Sequence, residues 1–143
     1  MILLDTNILV HAAGASSPRH ATAKELRDQA AEGQLEACIA PQVLTEFYAV
    51  VTNPRRFQPA LTPSQAQKEL RAYLSSSLNL ILPKQTTVSH TLHLIGSRAV
   101  RSGRIFDVFL AATMLDNGVR IIYTENITDF EAIRGIEAVD PLS

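Results

Sequence analysis

At 143 residues, with a net charge of −1 at pH 7, 46% hydrophobic and 19% charged residues, the chain has the size and make-up of one soluble domain. Its apolar runs fall far short of the ~20 residues that cross a membrane, and its charge excludes binding to nucleic acid through bulk positive potential alone. Ten of the 13 basic residues are arginine, the better bidentate partner for phosphate, so a nucleic-acid substrate held at a local site stays open.

Ile2-Leu3-Leu4 is a short apolar run of the kind found in strands buried on both faces of a parallel sheet. The chain enters it with no basic n-region or cleavage site, so no signal peptide is expected. Asp5-Thr6-Asn7 follows at the carboxyl end of the strand, where open α/β sheets bind their ligands. An aspartate there also caps a helix, and Asn7 to Ala13 reads as one, stopped by Gly14. Ser17-Pro18 sets a cap and a proline at the start of a helix to Glu32, with Gly33 as its stop. Leu35 to Ala40 is a second strand. It contains Cys38, a packed thiol whose lack of any partner cysteine fits a reducing, cytoplasmic setting.

Pro41 opens a helix through Val51, ending before Asn53-Pro54. A loop from Arg55 to Leu61 follows, then a helix from Thr62-Pro63 to about Ser75 and a strand from Leu78 to Leu82. A long helix is expected from Thr86 or Thr87 to about Ser102, interrupted by Gly103. Asp107 to Asp116 is a buried helix ended by Asn117-Gly118, Val119 to Tyr123 a strand, and Ile136 to Val139 a last short one. This alternation predicts an α/β fold in one domain over residues 1–143, with a mostly parallel sheet of four to five strands flanked by helices.

Four acids stand apart from the solvated helix faces. Asp5 ends the first strand. Glu46 lies at the margin of the apolar arc of Val43, Leu44, Phe47, Val50 and Val51. Asp107 is the only acid in the first turns of an otherwise apolar helix, and Asp129 follows the strand ending at Tyr123. Each has a bland explanation as a cap, a turn or an edge residue. Yet Asp5 and the loop from Thr124 to Asp129 fall at the same edge of one sheet, and gathered carboxylates repel unless a cation relieves them. An all-oxygen set suits Mg²⁺ or Mn²⁺. His90 and His93 are spaced i, i+3, but the sequence offers them no acid partner.

Ile2-Leu3-Leu4-Asp5-Thr6-Asn7, Glu46, Asp107-Val108-Phe109-Leu110-Ala111-Ala112-Thr113 and Thr124-Glu125-Asn126-Ile127-Thr128-Asp129-Phe130 together resemble the PIN domain, and within it the VapC-type toxins of prokaryotic toxin–antitoxin modules. The order of the segments and the chain length match across essentially the whole sequence. The resemblance implies a Mg²⁺- or Mn²⁺-dependent ribonuclease that hydrolyses RNA to a 5′-phosphate and a 3′-hydroxyl. Its acidic quartet would be Asp5, Glu46, Asp107 and Asp129, with Asp5 and Asp107 the firmest metal ligands. Glu125 and Asn126 are the other candidates for the fourth position, and Thr6, Asn7, Thr124 and Asn126 would orient carboxylates or water. A VapB-type antitoxin and a homodimer are implied as partners. Arg98, Arg101 and Arg104 are the first candidates for phosphate contact, Arg55 and Arg56 the second, and Phe57 a candidate for stacking on a base. The alternative is a PIN fold that binds RNA or protein without cutting.

Overall fold

The computed structural model describes residues 1–143. Its elements are β1 (Ile2–Leu4), α1 (Thr6–Ala13), α2 (His20–Ala31), β2 (Ala37–Ile39), α3 (Pro41–Val51) and α4 (Pro63–Leu74), then β3 (Asn79–Leu80), α5 (Thr87–Ile95), α6 (Arg104–Asp116), β4 (Ile121–Tyr123), α7 (Ile127–Glu131) and β5 (Glu137–Val139). The strands form one five-stranded sheet in the order β3-β2-β1-β4-β5. Every pairing is parallel, with Leu3 opposite Cys38 on one side and Ile122 on the other. Parallel strands carry helices on both faces, which is why the central ones are apolar without alternation. Leu3, Leu4, Cys38 and Ile122 are fully buried accordingly.

The helices bury the arcs their periodicity predicts. In α3, Val43, Leu44, Phe47, Val50 and Val51 are buried while Glu46 is exposed, and Pro41 occupies the first turn, where its missing N–H is not needed. A capping box closes the start of α4: Thr62 accepts from the Gln65 backbone N–H, and the Gln65 side chain accepts from that of Thr62. In α6, Val108, Leu110, Ala111, Ala112, Thr113 and Met114 are buried. No helix is long and apolar enough to cross a membrane.

Three helix boundaries differ from the sequence reading by three residues or more. α2 begins at His20, not at Ser17, because the Ser17 hydroxyl is taken up by the Arg19 backbone N–H and by His11 Nδ1. The expected long helix stops at Ile95, where Gly96 adopts a φ of 57°, a left-handed conformation that favours glycine. From Gly96 to Gly103 the chain is turns and irregular backbone, and α6 starts three residues before Asp107.

Candidate active site

From β1 the chain winds through β2 to β3 on one side of the sheet, then crosses to β4 and β5 on the other. The connections leaving β1 and β4 therefore part in opposite directions and open a crevice at the carboxyl ends of these two strands, the position where doubly wound sheets bind ligands. Asp5 is the first residue past β1, and Thr124 the first past β4. The Asp5 backbone N–H donates to the Tyr123 carbonyl at 3.0 Å and locks the two strand ends together.

A small hydrogen-bond network fixes the Asp5 carboxylate. Oδ1 accepts from the Thr6 backbone N–H at 2.8 Å, the N-cap bond of α1. Oδ2 accepts from the Thr124 hydroxyl at 2.8 Å and from Asn7 Nδ2 at 3.2 Å. The Thr124 hydroxyl in turn accepts from Asn7 Nδ2 and from the Asn126 backbone N–H, so a fully buried oxygen ties three segments to one carboxylate. Cap and site are thus the same residue. On the facing helix, the Thr6 hydroxyl donates to Glu46 Oε2 at 3.1 Å, and Gln42 Nε2 donates to Glu46 Oε1 at 3.3 Å.

Asp5, Thr6, Asn7, Glu46, Asp107 and Asn126 line one cleft of about 370 Å³. The acids in and beside it feel one another. Asp107 is pushed up to about 6, first by burial, then by repulsion from Asp129, Asp5 and Glu46, against the opposing pull of Arg104. Burial also raises Asp5, with Glu46 adding to the effect, while the Thr124, Thr6 and Asn7 hydrogen bonds work against it. Three helices and a strand end have brought together charges that repel.

The last loop divides its polar residues between two tasks. Asp129, in the first turn of α7, stands close enough to Asp107 to be its strongest charged perturber, but it is outside the cleft lining and pairs with Arg104 at 3.4 Å. Glu125 does line the cleft, but its Oε2 is held by His11 Nε2 at 2.9 Å and Arg19 at 3.0 Å. Arg19 also reaches Asp140 at 3.2 Å. His11 had no role in the sequence. Its place on the cleft wall was foreshadowed only by its position on the helix that Asp5 caps.

Three expectations are corrected. Phe57 is buried, with its ring against Gly14, where an added Cβ would lie 3.1 Å from Cε2; it is a core residue and not a stacking platform. Arg98 and Arg101 share no helix face, since α5 ends at Ile95, and the Arg98 guanidinium is occupied by the Leu94 and Ala132 carbonyls. Arg56, from the second group of arginines, is the cation on the cleft wall. His90 has an acid partner after all: its Nδ1 lies 2.7 Å from Asp116 Oδ1, a contact that docks α5 on α6.

The donor set suits a hard divalent cation, being carboxylates with neutral hydroxyl and amide neighbours. No three Asp, Glu, His or Cys side chains converge at ligating distance as they stand. Asp5 is buried and fixed by three hydrogen bonds, whereas Glu46 is exposed and held by two, from Thr6 and Gln42.

The chain is similar to known proteins in sequence and in fold. The sequence profile of the PIN domain matches residues 2–136. Ribonuclease VapC24 of Mycobacterium tuberculosis is 25% identical over 143 residues, covering 100% of this chain and 98% of that protein. Among solved structures, VapBC2 from Rickettsia felis bound to a DNA fragment from its promoter aligns with a TM-score of 0.66 at 23% identity, over 98% of this chain and 100% of that one. VapC20 of Mycobacterium tuberculosis, a toxin that cleaves the sarcin-ricin loop, aligns with a TM-score of 0.66 at 18% identity, over 90% and 92% of the two chains. With the acids at the switch point of the sheet and the profile spanning nearly every element, the chain belongs to the PIN domain family.

Proposed function

We propose that the protein is a Mg²⁺- or Mn²⁺-dependent endoribonuclease, the toxin of a VapBC-type pair. The observation that carries the reading is the Asp107 carboxyl, raised to about 6 by burial and by Asp129, Asp5 and Glu46 at the mouth of a cleft. A fold tolerates that repulsion where a cation or a reaction needs it. The similarity to Ribonuclease VapC24 over the full chain supports RNA as substrate.

Asp5 and Asp107 would hold the cation. A bound divalent cation supplies charge for a phosphate oxygen and an acidified water. Glu46, held between Thr6 and Gln42, would accept a proton from the water that attacks phosphorus. Thr124 and Asn7 keep the Asp5 carboxylate in one rotamer, and Asn126 ties the last loop to that hydroxyl. Asp129 completes the acidic set beside Asp107, with Arg104 as its counter-charge. Arg56 on the cleft wall offers a phosphate contact, as do the exposed Arg101 and Arg104. A VapB-type antitoxin would block the cleft, and a homodimer is the expected assembly. Solved relatives of this fold include toxin–antitoxin complexes.

The test is cleavage of a mixed cellular RNA pool by purified protein with Mg²⁺, Mn²⁺ or EDTA, beside Asp5→Asn. Defined fragments that require metal and vanish in the variant are expected. Folded, antitoxin-free protein that cuts nothing with either metal would leave a non-catalytic binding module.

A further inference from the structure

Resting on the nuclease reading, we propose that Phe106 is the platform on which a nucleobase of the RNA strand stacks at the rim of the cleft. Phe106 is 59% exposed, and every other phenylalanine and tyrosine is buried or half-buried. Single exposed apolar side chains are ordinary on a protein surface. Phe106 differs in where it is fixed. It lies in the first turn of α6, immediately before Asp107 and two residues after Arg104. Its carbonyl accepts a hydrogen bond from Gln42 Nε2 at 3.0 Å, and the same amide donates to Glu46 Oε1 at 3.3 Å. The backbone under the ring is therefore tied to two members of the acidic set.

An exposed aromatic ring beside basic side chains is what single-stranded nucleic acid requires: a face for the base and charge for the backbone. Arg101 and Arg104, both exposed, flank the turn that carries the ring. The ring adds nothing to the hydrophobic core from this position, and the acids of the cleft alone would repel an RNA strand. A stacked base next to Asp107 would hold the adjoining phosphodiester in register with the cleft. The other exposed apolar side chains, such as Val88 and Leu92, lie on α5 and show no such tie to the acids.

The chain contains no tryptophan, so Phe106→Trp introduces a single reporter. In an Asp5→Asn background that does not cut, titration with a short single-stranded RNA of mixed sequence should quench its emission. The same strand made fully abasic should not, and Leu92→Trp should respond to neither. Phe106→Ala should weaken RNA binding by about ten-fold, Phe106→Tyr should restore most of it, and the alanine change should have little effect on the weaker binding of the abasic strand. Unchanged RNA affinity in Phe106→Ala overturns the proposal, and so does an equal loss for base-bearing and abasic strands. A variant that loses self-association or antitoxin binding while keeping RNA affinity overturns it in favour of a protein contact. Cleavage by the unsubstituted protein is measured in parallel: its absence removes the nuclease reading, whereas normal cleavage with unaltered binding by Phe106→Ala removes this assignment alone.

Discussion

Replacing Asp107 by asparagine should stabilise the metal-free protein while abolishing its activity. The Asp107 carboxyl stands at about 6 against an ordinary 3.8, because burial and three neighbouring acids disfavour its charge. The folded state therefore binds this proton more tightly than the unfolded chain does, and stability falls as pH rises from about 4 to 6 and stays low above that. At about 1.4 kcal/mol per pH unit the full difference is about 3 kcal/mol. The side chain is only half-buried, and solvent screening reduces this to about 1–2 kcal/mol. For a chain of this length that is a gain of about 3–6 °C in melting temperature. Thermal unfolding in EDTA at pH 7.5 should show the gain, and the same comparison near pH 4 should show it nearly gone. Millimolar Mg²⁺ should raise the melting temperature of the unsubstituted protein and not that of the variant. A variant no more stable at pH 7.5, or a gain that is flat from pH 4 to 8, would refute the electrostatic argument.

Other consequences follow from the same contacts. Asp5→Asn should lower RNA cleavage by at least about 100-fold while leaving the melting temperature within a few degrees, because asparagine caps a helix about as well as aspartate; circular dichroism and a cleavage assay check both halves. Thr124→Val removes the buried hydroxyl that serves Asp5, Asn7 and Asn126, and should cost about 1–3 kcal/mol in urea unfolding together with most of the activity. Phe57→Ala should destabilise the fold by about 3 kcal/mol, with RNA affinity unchanged in the fraction that remains folded. Glu125→Gln, which leaves His11 and Arg19 without their shared carboxylate, should retain cleavage if Glu125 is a structural tie, and comparison with Asp129→Asn separates the two acids.

The central strands, α3 and α4 were legible because their signals are local. Apolar runs mark strands buried on both faces, and a cap followed by proline marks where a helix begins. Asp5 was legible for the same reason: a carboxylate directly after such a run sits at the ligand-binding edge. Glu46 and Asp107 could be placed on their helices, but that their charges meet is a product of the β1–β4 crossover. What failed was whatever depends on distant partners. Phe57 reads as a loop aromatic, yet the chain folds it back on Gly14. Arg98 and Arg101 read as one helix face until Gly96 ends the helix before them. The Asp116 partner of His90 lies 26 residues on, beyond the reach of any helical spacing. His11 carries no motif, and only the return of the last loop to the end of β1 brings Glu125 onto it.

The most direct test of the claim that these acids act as one cation site is calorimetric titration of the RNA-free protein with Mn²⁺ at pH 7.5. Binding should be lost in Asp5→Asn and Asp107→Asn, weakened in Glu46→Gln, and retained in Glu125→Gln. Mn²⁺ binding that survives the loss of both Asp5 and Asp107 would contradict that claim, as would folded protein that binds no divalent cation at all.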